Sequence, residues 1–270
     1  GGGGGGGGGP GVALAAQLSR NRRRVRNSPN LGWRDVPFAG LVEETLSESF
    51  DAPRLRLVND LNASLWGERV AGAVEGAEDV LAVFVGTGVG GAVLADGELV
   101  VGSGGVAGEI GHAKIEPGGR LCGCGERGCI EAYAGGIHLE ERVESLAADR
   151  RDLQSLVGEG GEVDLGRADE RARSDEDLES IWRRATDGLA VVAANACSLL
   201  DPKFLLVGGG VLEHCPCFRE KFLAKCSPLV LEAVREDVEV RSRSLGERGG
   251  VFGAARLAAR RPGGGPDGRR

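Results

Sequence analysis

The chain has 270 residues, 41% of them hydrophobic, with 33 basic against 40 acidic side chains and a net charge of −7. That acidity argues against a protein built mainly to bind nucleic acid, and no stretch nears the ~20 apolar residues of a membrane span. Seven cysteines are too few and too unevenly spaced for a disulfide framework at this length, so a soluble protein of a reducing cytoplasm is expected.

The chain opens on nine glycines and contains no methionine. Such a run has no side chains to pack and loses the most backbone entropy on ordering, which implies that the natural beginning is missing. No charged segment followed by an apolar one marks a secretory signal. A short apolar stretch at 12–18 precedes an arginine-rich run at 20–26, read as a solvated hairpin or loop. Residues 27–35 are rich in turn formers, with Trp33 as an anchor, and lead into a helix over 38–47.

A short apolar strand at 55–58 ends in Asn59-Asp60, and Asp60 or Asn62 is expected to cap a helix running to about residue 76. The apolar run 80–85 reads as a strand, followed by Gly86-Thr87-Gly88-Val89-Gly90-Gly91, a strand at 92–94, an Asp96-Gly97 turn and a strand at 98–101. Residues 102–129 show little periodicity, and so long a loop inside a compact domain needs an organiser. Helices are expected at 131–148 and, after a polar stretch at 158–174, at 175–200. In the second, Leu178, Ile181, Ala185, Leu189, Val192, Ala196 and Leu199 recur on one face. A buried strand at 204–207, the turn Gly208-Gly209-Gly210, a helix at 217–234, a strand at 238–240 and a closing helix at 249–259 complete the chain; 260–270 reads as disordered. Alternating strands and helices with glycine turns at strand ends predict an α/β fold whose ligand loops lie at the sheet edge.

The strongest chemical signal is His112-x9-Cys122-x-Cys124-x4-Cys129. Three thiolates and an imidazole make a tetrahedral set that zinc favours, and four protein ligands make the site structural. Gly123, Gly125 and Gly128 are expected to let the backbone turn tightly enough to gather the sulfurs. Cys197, Cys215, Cys217 and Cys226 read as ordinary partly buried cysteines. Asp60 at a strand end can accept a proton from a substrate hydroxyl with Asn59 beside it, or simply cap a helix. The turn Gly86–Gly91 lacks the Lys-Ser/Thr of a P-loop; its backbone N–H groups can approach phosphate oxygens, and a plain tight hairpin is the alternative. Gly208-Gly209-Gly210 can let a base or ribose lie against bare backbone, or simply be an ordinary strand-to-helix turn. Glu109 and Glu131 flank the cysteine block and can hydrogen-bond a polyol.

Taken together, SPNLGW at 28–33, VNDLNASLWGE at 58–68, VGTGVGGAV at 85–93, GEIGH at 108–112, CGCGERGCIE at 122–131, LDPKFLLVGGGV at 200–211 and the closing GGVFGAARLA resemble the ROK family of sugar kinases and repressors. The resemblance covers about residues 27–259 and implies an actin-like ATPase, ribonuclease H-like (hexokinase superfamily) fold with two lobes around a cleft. The implied division is a poorly defined start at 1–26, the rest of a truncated N-terminal lobe at 27–84, a C-terminal lobe at 85–259 carrying the zinc loop 108–131, and the tail.

The resemblance also implies transfer of the ATP γ-phosphate to a hexose, most readily glucose at its 6-hydroxyl, with Mg²⁺ on the phosphates. Asp60 becomes the general base, and Asn59, Asp60, Glu109, His112 and Glu131 hold the sugar, His112 with one ring nitrogen on zinc and the other toward the sugar. Gly86, Thr87, Gly88, Gly90 and Gly91 cradle phosphates, and Gly136, Gly208 and Gly209 border the adenosine. A homodimer or tetramer is the implied assembly. One element of the family pattern has no counterpart in this sequence, an Asp-x-Gly-Gly-Thr phosphate turn between the first two strands. Its absence implies weak or no activity for the polypeptide as it stands. A sugar-responsive repressor of the same family, or a zinc-stabilised sugar-binding remnant, are the alternatives, and mannose, fructose, N-acetylglucosamine and N-acetylmannosamine the alternative sugars.

Overall fold

The computed structural model describes residues 10–28, 31–47 and 55–260. The glycine run at 1–9, Pro29 and Asn30 of the SPNLGW segment, and the tail from 261 lie outside the described residues. The chain forms two compact units, one from the described parts of Gly1–Asp79, Ala92–Gly108 and Arg243–Arg270, the other from Val80–Gly91 and Glu109–Ser242.

In the first unit, β1 (Gly11–Leu14), β2 (Gln17–Leu18), β3 (Val25–Ser28) and β4 (Trp33–Val36) precede α1 (Phe38–Ser47), β5 (Arg56–Asn59) and α2 (Asp60–Ala71). β1 and β5 pair in parallel, and β2-β3-β4 form an antiparallel sheet. The arginine run is the β2–β3 hairpin connection, with Arg22 at φ 55° in the turn. Arg23 pairs with Glu43, and Arg24 with Asp35 at 2.8 Å. Trp33 is an anchor as expected: its ring lies 5.4 Å from that of Phe38, and both pack on Leu18, Val25, Ala39 and Leu57.

The start of α2 differs from expectation. Asn59, and not Asp60 or Asn62, is the cap: its Oδ1 accepts from the N–H groups of Leu61 and Asn62 at 3.0 and 3.1 Å. α2 also stops at Ala71, because the buried Glu68 carboxylate accepts from Ala73 N at 2.7 Å and turns the chain there. The same carboxylate accepts from the N–H groups of Ser244 and Leu245 at 2.8 and 2.7 Å, tethering the approach to the last helix.

In the second unit, β6 (Val80–Val85) is buried along its whole length and β7 (Val89–Ala95) follows. β7 starts beside β6, crosses into the first unit and there pairs antiparallel with β8 (Glu98–Leu99). The long loop contains a 3-10 turn at Ile110–His112 and two isolated antiparallel bridges, Lys114 with Cys129 and Leu121 with Arg127, before α3 (Glu131–Ala134), α4 (Gly136–Asp149), α5 (Leu165–Arg171) and α6 (Glu176–Leu200). β9 (Phe204–Gly208), α7 (Gly210–His214), α8 (Pro216–Cys226), α9 (Glu232–Asp237) and β10 (Glu239–Ser242) end this unit. β10, β9 and β6 run parallel in that order.

α10 (Arg248–Ala259) closes the first unit against α2. The two helices approach so closely that a Cβ on Gly253 would stand 1.8 Å from the Ala63 carbonyl oxygen.

Several helices depart from the sequence reading. The single helix expected at 131–148 breaks at Gly135, which is extended (ψ 140°). The helix expected at 217–234 is three pieces, α8, a 3-10 turn at Ser227–Leu229 opened by Pro228, and α9. The buried stripe of α6 follows Leu178, Ile181, Ala185, Leu189 and Val192 as expected and then passes to Ala193 and Cys197, leaving Leu199 85% exposed. Cys197, Cys215, Cys217 and Cys226 are free and buried, as read.

α5 lies inside the stretch read as merely polar, and a buried carboxylate explains it. Asp169 is 0% exposed, and its oxygens accept from Trp182 Nε1 at 2.6 Å and from the N–H groups of Phe218 and Cys217, both at 2.8 Å. It thereby caps α8 from another helix. Asp169→Ala leaves three buried donors without a partner, at about 1–3 kcal/mol each. The expected result is a loss of about 3–5 kcal/mol in urea unfolding; a loss within 1 kcal/mol would show that water replaces the carboxylate.

Candidate functional site

The second unit gathers its glycine turns at one sheet edge. β6 and β9 are parallel, with Phe84 opposite Gly208, so the turns that follow them leave the sheet at the same carboxyl end. Gly209 there has φ 96°, and a Cβ on it would stand 2.4 Å from the Val85 carbonyl oxygen, so only glycine fits. The first turn is shorter than expected: only Gly86–Gly88 is irregular, while Gly90 and Gly91 belong to β7. α4 starts against this turn, with Gly136 N donating to Gly86 O at 2.8 Å and Ile137 N to Thr87 O at 3.1 Å. Gly86, Thr87, Gly88, Gly136, Gly208 and Gly209 therefore share one locality. The break at Gly135 is what lets α4 point its N-terminus at the turn.

The loop between Glu109 and Glu131 builds the second feature. The donor atoms of His112, Cys122, Cys124 and Cys129 all lie within 4.8 Å of one another. Cys122 Sγ is 3.7 Å from His112 Nδ1, and Cys124 Sγ is 3.7 Å from Cys129 Sγ. A tetrahedron with Zn–S bonds of about 2.3 Å has sulfur–sulfur edges of about 3.8 Å, so these residues fit a zinc ion. Burial pushes the Cys122 thiol up, so a thiolate there needs a compensating cation. The tight turn rests on Gly125 (φ 90°) and Gly128 (φ 82°), whereas Gly123 sits in open space with no left-handed backbone and is not required.

Both flanking carboxylates attach to this cluster. Glu109 Oε2 is 3.7 Å from His112 Nε2, the ring nitrogen opposite the cysteines. Glu131 places Oε1 3.4 Å from Cys122 Sγ, and its Oε2 accepts from Val89 N at 3.1 Å. The last bond joins the cysteine loop to the strand that leaves the Gly86–Gly88 turn.

Asn59 and Asp60 belong to the first unit. Asn59 commits Oδ1 to the α2 cap and Nδ2 to Ala16 O at 3.4 Å, which leaves Nδ2 one further hydrogen to donate. Asp60 is half-buried, and burial pushes its carboxyl up against the opposing backbone N–H groups of Leu61 and Asp60 itself.

Two features escaped the sequence reading. Tyr133, 1% exposed, accepts from Arg120 N at 2.9 Å and donates to Glu116 Oε2 at 2.5 Å, and Arg184 of α6 bonds the same carboxylate. It staples the cysteine loop to α3 and α6, and its only signal was being the single tyrosine of the chain. Lys114 is the other, with Nζ 2.9 Å from Cys129 Sγ.

The profile of the ROK family matches residues 6–261. The chain belongs to the ROK family. A glucokinase of Thermotoga maritima is 31% identical over 252 residues, covering 92% of this chain and 78% of that protein. An N-acetylmannosamine kinase of Escherichia coli is 32% identical over 220 residues, covering 80% and 68%. Among solved structures, a ROK family glucokinase from Streptomyces griseus in complex with glucose and AMPPNP superposes with a TM-score of 0.77 at 30% identity, over 92% of this chain and 80% of that one. The fold is accordingly the hexokinase-type actin-like ATPase fold of the ROK family, and the glycine turns and cysteine loop are parts of a ROK domain. Among the described residues no helix is long and apolar enough to cross a membrane.

Proposed function

We propose that this ROK-family sugar kinase transfers the γ-phosphoryl group of ATP to a hexose, with glucose at its 6-hydroxyl as the favoured acceptor. The observation that carries the reading is the cluster around His112. Its Nδ1 lies 3.7 Å from Cys122 Sγ while its Nε2 faces Glu109, and Glu131 is anchored to the same loop. Carboxylates and an imidazole held this way suit the hydroxyls of a polyol, and the glucokinase and N-acetylmannosamine kinase relatives support a sugar acceptor.

Zinc, when bound to His112, Cys122, Cys124 and Cys129, supplies structural cross-linking of the loop and fixes the His112 tautomer. The chain's own residues do the rest. Glu109, His112 and Glu131 accept and donate to sugar hydroxyls, and Asn59 donates its remaining amide hydrogen to a neighbouring hydroxyl. Asp60 takes the proton from the attacking hydroxyl as the new O–P bond forms. Gly86, Thr87 and Gly88, with Gly90 and Gly91 continuing into β7, offer N–H groups and a hydroxyl to phosphate oxygens. Gly136, Gly208 and Gly209 leave bare backbone for the adenosine. Magnesium, bound together with the nucleotide, would supply charge neutralisation on the transferred phosphoryl group. The same reading places the enzyme in the cytoplasm, where thiols stay reduced, as a homodimer or tetramer.

The test is ADP release from ATP with glucose, mannose, fructose, N-acetylglucosamine and N-acetylmannosamine. Glucose is expected to give the highest kcat/KM. A higher value for N-acetylmannosamine overturns the choice of sugar. Glucose binding without turnover of any sugar overturns the kinase chemistry and leaves a sugar-binding protein.

A further inference from the structure

Lys114 and Cys129 face each other in an isolated antiparallel bridge across the cysteine loop. The register is held by Ile115 N donating to Gly128 O at 2.9 Å and Ile130 N to Ala113 O at 3.0 Å. Facing residues in such a bridge put their side chains on one side, and here Lys114 Nζ reaches Cys129 Sγ at 2.9 Å. Cys129 is 0% exposed, so little water solvates its sulfur, whereas Lys114 itself is exposed.

The charge of the centre makes this contact matter. Three thiolates, a neutral imidazole and one dication leave a single negative charge uncompensated. Glu131 adds a carboxylate 3.4 Å from Cys122 on another side of the cluster. A buried sulfur carrying part of that charge gains from an N–H donor that is itself cationic.

We propose that Lys114 is a positioning residue of the metal centre, whose ammonium donates to the Cys129 thiolate, offsets the surplus negative charge and strengthens zinc retention. The proposal rests on the zinc reading above. The contact is electrostatic, so the order of effects follows charge and not size. Arginine keeps a cation and donors at this position, glutamine keeps only a neutral donor, and glutamate puts a second anion against the sulfur.

The test is competition for zinc between the full chain and a chromogenic chelator, for wild type and for Lys114→Arg, Lys114→Gln and Lys114→Glu. Outer partners of metal ligands typically contribute 10–100-fold to affinity. The expected result is affinity near wild type for Lys114→Arg, a loss of about 10-fold for Lys114→Gln and a larger loss for Lys114→Glu. Melting temperatures of the zinc-free chains should coincide, because Lys114 is exposed and its replacement leaves the core intact, whereas at a fixed zinc excess they should fall in the order of the lost affinity. If wild type holds one zinc per chain and all three variants stay within about twofold of it, Lys114 has no such role and the zinc reading stands. If wild type binds no zinc, the zinc reading falls and this proposal with it.

Discussion

Asp60→Asn lowers kcat for hexose phosphorylation by about 10²–10⁴-fold, with a much smaller change in sugar KM. Asparagine preserves the volume and the hydrogen-bonding edge of the side chain, so the variant removes proton acceptance and little else. The substitution is also expected to separate activity from stability. Burial raises the Asp60 carboxyl, so the folded chain binds that proton more tightly than the unfolded chain. The sign follows from linkage: the protonated form's contribution to stability is complete below the usual carboxylate pKa and is lost as pH rises through the raised value. At neutral pH the ionised Asp60 therefore destabilises the fold. Asp60→Asn should melt at a higher temperature than wild type at neutral pH, and the difference should vanish in acid. Its kcat remaining at the wild-type level would falsify the general-base role.

Removing zinc by chelation, or by Cys129→Ser, should collapse kcat/KM for the sugar by about 10³-fold. The figure follows from the groups the loop carries. Glu109 and Glu131 each make charge-assisted hydrogen bonds worth about 1.5 kcal/mol or more, the neutral His112 one worth about 1 kcal/mol, and each factor of ten corresponds to about 1.4 kcal/mol. The glycine turns hold their geometry through β6, β9 and α4, so ATP affinity should change far less. Proteolysis supplies an independent measure, since residues 108–131 become accessible once the cross-link is gone. The loop will not melt from end to end, because Tyr133, Glu116 and Arg184 hold its middle without metal. Normal sugar KM in zinc-free protein would show that this staple alone suffices.

The difference between what could and could not be read follows from the range of each interaction. β6 was legible because six consecutive apolar residues have no other use than a fully buried strand. The cysteine cluster was legible because its ligands lie close in sequence and the chemistry of zinc restricts their spacing. The break at Gly135 was not legible, because its cause is the approach of α4 to the Gly86 carbonyl, some fifty residues away in sequence. α5 was hidden for the same reason: its reward is the burial of Asp169 against Trp182 and α8, which no local pattern signals. The cap of α2 fell to Asn59 because the strand carries an extended backbone one residue further than its apolar run.

By itself, then, the order of residues determined the α/β class, the glycine turns at strand ends and a cluster of three cysteines and a histidine, all of which depend on neighbours within a few turns of chain. Only the tertiary structure decided which glycines meet, which carboxylates touch the cysteine loop and which lysine faces Cys129. Those outcomes depend on strand register and on helices returning from distant parts of the chain. A sequence states which groups are available; the packing of parallel strands and the closure of the loop state which of them come within 3 or 4 Å, the range over which hydrogen bonds and ion pairs act.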